Sequence, residues 1–266
     1  MPDISPKAVV TRPEALADDV RVGAFSYVGP DVTIAAGTVL ANNVTVVGRT
    51  SVGAGCAVHP GAVVGTETGG AAGTCTLGDG NVIREHVIIA GGTDPSGPGT
   101  VVGADNLFMV GCLVGHDAQV GAEGIFANFT HIEPYACIEP FVRTSAFTVV
   151  RRWATVGAYA FATGYAAIER DAPPFAIVQG LPAVARSVNS ENLRRCGFDK
   201  SDIEALKGAF RLLFNGDADT PDEDALGTVQ AQFDNPYVRT LIDSIRRSAA
   251  GPSGRHRQDG KDTGAA

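Results

Sequence analysis

Every sixth residue over the first two-thirds of the chain is a small or medium apolar residue. One run passes from Ile4 through Val10, Leu16 and Val22 to Val64, a short one takes Leu77, Ile83 and Ile89, and a third runs from Val102 to Ile168. Only Thr144 breaks the apolar rule. Helices repeat near 3.6 residues and strands near 2, so a sustained period of six belongs to neither alone. It is the signature of a solenoid, in which short strands and tight turns stack coil upon coil. No single hexad can bury its own face, so the array folds as a whole. Each Val, Leu or Ile taken into the shared column then stabilises it by about 1.5–3 kcal/mol. The expected fold class is a β-solenoid with a small α-helical C-terminal domain.

Glycine is abundant, at 33 residues, and often follows the column residue directly, as at Gly23, Gly53, Gly103, Gly115, Gly121 and Gly157. These positions read as turns where φ must be positive. The phase slips twice, from Val64 to Leu77 and from Ile89 to Val102. Both slips are Gly-rich and polar, which predicts external loops near 65–76 and 91–101, and such loops tend to border a binding face.

The repeat ends near Ile168. Pro173 and Pro174 then mark an exit segment, since proline cannot donate to a ladder. Helical spacing of apolar residues predicts a helix over 199–215, with Ser201 and Glu204 as a capping box, and two more over 221–233 and 236–247. The domains expected are a solenoid over 1–185, a helical unit over 186–249 and a tail over 250–266 too poor in apolar residues to fold.

The formal net charge of −8 argues against a nucleic-acid partner. No run of 18 apolar residues predicts a membrane span, and MPDISPKAVV does not read as a signal peptide. The five cysteines form no CxxC pair, which predicts reduced thiols and a cytoplasmic protein.

His116 and Asp117 stand in VGHDAQVG, two and three places past the column residue Val114 and so outside the inward row. An imidazole there suits proton transfer from a hydroxyl, with the neighbouring carboxylate fixing its tautomer. Taken alone, a surface histidine on a turn explains the same residues.

Ordered segments add specificity. NVIREHVIIAGGT (81–93), GADNLFM (103–109), GHDAQVG (115–121), DAPPFAIVQG (171–180) and NSENLRRCGF (189–198) occur in one order along a collinear stretch from about residue 4 to about residue 245. In this the chain resembles the acyl-ACP:UDP-N-acetylglucosamine O-acyltransferases, the first enzymes of lipid A synthesis. The resemblance implies a left-handed parallel β-helix of hexapeptide repeats and a homotrimer with active sites in clefts between subunits. It implies acyl carrier protein and a UDP-sugar as partners, with acyl-ACP as co-substrate, no further cofactor and no metal. It assigns the general base to His116 with Asp117 beside it, and sugar-nucleotide contacts to Asn189, Glu191 and Arg195. It also makes Gly164 the position that limits acyl length, where a missing side chain leaves room for a long chain.

Several positions depart from the family pattern. Cleft histidines are replaced by Ala90, Leu113, Tyr135 and Arg151, and Pro134 stands where a glycine N–H faces the developing oxyanion. An acidic residue of the first external loop is missing from TETGGAAGT. His131 and His86 are candidates to replace lost groups. Arg143, Arg151 and Arg152 are read as a cationic cluster for a phosphate. Three functions follow as alternatives: an acyltransferase acting on a hydroxyl (or amine) of a UDP-amino sugar, a non-catalytic trimeric paralogue that binds nucleotide sugar or acyl carrier, and a zinc enzyme drawing on His59, His86, His116 and His131.

Overall fold

The computed structural model describes residues 1–67, 73–214 and 221–258. Strands of two to four residues follow one another along most of the chain, and each pairs in parallel with a strand one coil away. Leu113–Val114 lies beside His131–Ile132, which lies beside Val149–Val150. A coil here takes 18 residues, or three hexads. The strands sort into three sheets of 11, 9 and 7 strands among the described residues. Successive strands visit the three sheets in turn, giving a parallel β-helix with three faces and three corners.

The six-residue column is the core of this prism. Val114, Phe126, Ile132 and Val150 are buried, and Phe108 stacks on Phe126 with ring centroids 4.7 Å apart. Thr144, the polar exception, is also buried, and its hydroxyl meets that of Thr130 at 2.7 Å and accepts from the Ala127 N–H at 3.1 Å. A paired hydroxyl avoids the cost of a buried orphan. Burial pushes the Cys112 thiol up to about 11 and the Cys75 thiol up to about 12.

Gly65, after Val64, has the positive φ expected (81°), but most glycines that directly follow the column residue serve a different purpose. Positive φ falls two residues later, three past the column residue, at Asp117 (58°), Phe129 (59°), Tyr135 (62°), Phe147 (60°) and Trp153 (66°) among others. The glycines instead mark close approach between coils. A Cβ at Gly115 would lie 2.5 Å from the Pro134 nitrogen, and one at Gly53 would lie 2.5 Å from the Gly78 carbonyl carbon. Only a residue without a side chain lets the coils stack there.

The two phase slips lengthen their coils to 25 residues. The first loop joins Val63–Thr66 to Thr74–Leu77, and its residues 68–72 lie outside the described residues. The second, between Ile88–Ala90 and Thr100–Val102, bonds to the first: Gly73 N–H donates to the Gly92 carbonyl at 2.8 Å and Gly92 N–H to the Thr74 carbonyl at 3.0 Å.

The exit segment is not free of structure. Ala176–Gly180 joins the 11-stranded sheet in parallel with Phe161–Ala162, and Ala183–Val188 returns antiparallel beside it. Four α-helices follow among the described residues: α1 (Ser190–Arg195), α2 (Lys200–Leu213), α3 (Glu223–Gln232) and α4 (Pro236–Ala250). The expected capping box does not form, because Asp199 is the N-cap of α2 and Ser201 lies inside the helix. Residue 215, the expected end of that helix, lies outside the described residues. Asp222 and Asn235 do cap α3 and α4 through their side chains. Phe198 and Tyr237 pack against the corner aromatics Tyr159 and Phe175, so solenoid and helices share one core.

The expectation of an unstructured tail from residue 250 fails for residues 251–258. The Asp171 carboxylate accepts from the His256 N–H at 2.9 Å and lies 2.6 Å from His256 Nδ1, and Arg255 Nε donates to the Glu169 carbonyl at 2.7 Å. Polar partners dock this segment in place of apolar burial. Residues 259–266 lie outside the described residues.

Candidate active site

His116 and Asp117 form the turn between Leu113–Val114 and Gln119–Val120, at the corner where the 9-stranded sheet passes to the 7-stranded one. Asp117 takes the left-handed backbone that aspartate tolerates. That bend turns its carboxylate back onto its own neighbour, and His116 Nδ1 lies 2.8 Å from Asp117 Oδ2. Both side chains are largely shielded, at 19% and 11% exposure.

The second external loop completes the carboxylate's partners. The Thr93 N–H donates to both Asp117 oxygens at 3.2 Å, and the Thr93 hydroxyl donates at 2.6 Å. Below, the Asp117 N–H donates to the Thr100 hydroxyl at 2.8 Å. With these donors on its oxygens, the carboxylate faces His116 Nδ1 as an acceptor. In the tautomer that donates from Nδ1 to this acceptor, Nε2 carries the free lone pair.

One wall of the site is aromatic. The Tyr135 ring meets His116 edge-on at 5.1 Å, Trp153 stacks on Tyr135 at 4.3 Å, and the Arg152 guanidinium lies 4.8 Å from the Tyr135 ring. Asp117, Tyr135 and Trp153 occupy the same turn position in successive coils. The Tyr135 hydroxyl is 3.4 Å from the Thr93 hydroxyl. Thr93, Thr100, Tyr135 in its wall role and Trp153 were not foreseen. The 18-residue register, laid over the coils, would have aligned Tyr135 and Trp153 with Asp117.

The structure separates some residues that the sequence had grouped. Arg143 lies in the 11-stranded sheet, whereas Arg151 and Arg152 follow the 9-stranded sheet at the His116 corner, so the three form no single cluster. Arg151 is paired with Glu133 at 2.6 Å, and Glu133 also accepts from the Arg152 N–H at 2.8 Å. His86 sits at another corner, between the 11- and 9-stranded sheets, and so is not a neighbour of His116. His131 lies one coil along from Leu113, in the sheet that leads to His116. Pro134 packs on Gly115 and offers no N–H at that level. Among the described residues no three His, Cys, Asp or Glu side chains group to hold a metal ion.

Asn189, Glu191 and Arg195 belong to the helical end. Asn189 is buried, and its side-chain amide donates to the Tyr159 carbonyl at 2.8 Å, at the corner between the 7- and 11-stranded sheets. Glu191 and Arg195 are exposed and pair along α1 at 3.1 Å. Within one chain they stand at a different corner from His116. Gly164 has no strained φ, and a Cβ there would meet nothing closer than 3.6 Å, so its backbone does not require glycine.

A family model described as UDP-N-acetylglucosamine O-acyltransferase, domain 2, matches residues 171–253. Among solved structures, LpxA from Bacteroides fragilis, a UDP-N-acetylglucosamine acyltransferase, is 31% identical over 91% of this chain and 96% of its own, with a TM-score of 0.84. LpxA from Acinetobacter baumannii is 30% identical over 92% and 95%, with a TM-score of 0.80. The chain belongs to the UDP-N-acetylglucosamine O-acyltransferase family. Its fold is that family's left-handed parallel β-helix with a helical C-terminal domain. The UDP-N-acetylglucosamine acyltransferase of Campylobacter jejuni is similar over nearly its whole length, at 25% identity and a TM-score of 0.82. Among the described residues, no helix of this family member is long and apolar enough to cross a membrane.

Proposed function

We propose that this protein transfers a 3-hydroxyacyl group from acyl-ACP to a hydroxyl of a UDP-amino sugar such as UDP-GlcNAc, with His116 as general base and Asp117 as its partner. The observation that carries this reading is the 2.8 Å contact of His116 Nδ1 with a carboxylate already held by Thr93. Nε2 takes the proton from the sugar hydroxyl as its oxygen attacks the thioester carbonyl carbon. The tetrahedral oxyanion collapses, the carbon–sulfur bond breaks, and the imidazolium returns its proton to the departing thiolate. Asp117 stabilises the imidazolium in between. Neither a covalent enzyme intermediate nor a metal enters this scheme.

The acceptor side draws on Asn189, Glu191 and Arg195, which stand at another corner of the prism. A site using both sets needs a second copy of the chain, which supports a homotrimer with clefts between subunits. Arg195 would exchange its exposed pairing with Glu191 for the diphosphate, at small cost because such pairs are weak. The open space at Gly164 supports a groove for a long acyl chain. Arg152 and His131, near the His116 corner, complete the proposed substrate contacts, while Arg151 is engaged by Glu133. The cytoplasm, where acyl carrier protein and nucleotide sugars meet, is the proposed location.

A second reading rests on Pro134. With no N–H at position 134 and no cleft histidines at Tyr135 and Arg151, the chain would bind nucleotide sugar or acyl carrier without turnover. Purified protein offered 3-hydroxyacyl-ACP and UDP-GlcNAc separates the two. Turnover lost in His116→Ala supports the first reading, whereas nucleotide-sugar binding by calorimetry without turnover supports the second.

A further inference from the structure

The C-terminal segment returns to the solenoid at the aromatic wall beside His116. Its anchor is Asp171, whose side chain is 4% exposed. One carboxylate oxygen accepts from the Thr155 N–H at 2.7 Å, and the other accepts from the His256 N–H at 2.9 Å. The Asp171 N–H donates to the Gly254 carbonyl at 2.8 Å. From this anchor two arginines reach across neighbouring coils. The Arg255 guanidinium donates to the Arg152 carbonyl at 3.2 Å, and the Arg257 guanidinium donates to the Tyr135 carbonyl at 3.0 Å.

Those two carbonyls belong to the wall. Arg152 precedes Trp153 in the chain and lies over the Tyr135 ring, and Tyr135 lies between Trp153 and His116. The Tyr135 N–H in turn donates to the His116 carbonyl at 3.1 Å. Two hydrogen bonds therefore link the Arg257 side chain to the main chain of the base. The family model's match ends at residue 253, before this strap begins.

We propose that Arg257, with Arg255 and His256, is a positioning residue that holds the Tyr135–Trp153 stack against His116. The catalytic part of the proposal rests on the reading of His116 as general base. A guanidinium that fixes a backbone carbonyl restrains the whole peptide unit, and small displacements at a reacting centre carry large rate penalties.

Trp153 is the only tryptophan in the chain, so its fluorescence reports on this wall independently of activity. The test uses the full chain with Arg257→Ala and Arg257→Lys. In the alanine variant, Trp153 emission shifts and acrylamide quenching rises, while kcat falls by about 10- to 100-fold. The KM for nucleotide sugar stays within about threefold, because contacts made equally in ground and transition states are untouched. The lysine variant still offers a cationic donor to the carbonyl and recovers both signals in part. Unchanged Trp153 emission in Arg257→Ala overturns the proposal, and so does shifted emission with wild-type kcat. If Arg257→Ala melts early, Arg257→Lys against Arg257→Gln at a temperature where both are folded makes the same comparison. A wild-type protein without turnover contradicts the proposed function and the catalytic part of this one together. The emission then decides separately whether the strap orders the wall.

Discussion

His116 and Asp117 are adjacent in the chain and bonded to each other, with Nδ1 of one 2.8 Å from Oδ2 of the other. Neighbouring side chains normally diverge. Here the left-handed backbone of Asp117, at φ 58°, folds them together, and Thr93 from the external loop holds the carboxylate in place. Asp117→Asn keeps the shape but removes the charge proposed to stabilise the imidazolium. It should lower kcat by roughly 10²–10⁴-fold with little change in KM for nucleotide sugar, as steady-state kinetics will record.

Gly115 and Gly164 make opposite demands on space. A Cβ at Gly115 would lie 2.5 Å from the Pro134 nitrogen, and moving either coil disturbs the column beneath. Gly115→Ala should cost about 1–3 kcal/mol or more in urea unfolding, as overpacking does. Gly164→Ala should change stability by less than about 0.5 kcal/mol, as at an ordinary surface position. Gly164→Met should leave the fold intact and shift donor preference to shorter acyl chains in a mass-spectrometric competition.

Pro134 is the clearest departure near the proposed base, His116. If the missing N–H limits turnover, Pro134→Gly should raise kcat, since one oxyanion donor is typically worth on the order of 100–1,000-fold. The same change frees the unfolded chain and should cost about 0.4–1 kcal/mol in stability. An unchanged kcat would mean that another donor serves the oxyanion.

The buried thiols give a pH prediction. Cys75 is held protonated in the fold, up to about 12 against an ordinary thiol value of 9.0. Between those values the unfolded chain loses a proton that the native chain keeps, so stability is full below pH 9 and falls as pH rises. Cys75→Ala should flatten that alkaline slope in urea unfolding followed from pH 8 to pH 11. Native Cys75 and Cys112 should also react with a thiol reagent far more slowly than the same residues in urea.

The solenoid was legible because its period is carried by every buried column residue, and one repeated pattern outweighs local exceptions such as Thr144. His116 and Asp117 were legible because their partnership is local. Thr93 was not, since it reaches Asp117 only after an insertion folds back over the coil. The three arginines were misgrouped because Arg151 lies eight positions after Arg143, enough to pass from one face to the next. The glycines were misread for a related reason: a contact between coils leaves no mark on the sequence of a single turn. The strap at Arg255–Arg257 was hidden because polar contacts dock it, and composition registers only apolar burial.

The most direct measurement is turnover of 3-hydroxyacyl-ACP and UDP-GlcNAc by wild type and by His116→Ala, both confirmed as folded. The proposed mechanism predicts acylated UDP-sugar from the wild type and a rate lower by at least about 100-fold in the variant. Equal rates in the two proteins, or no product from the wild type across acyl lengths and sugar nucleotides, would contradict it.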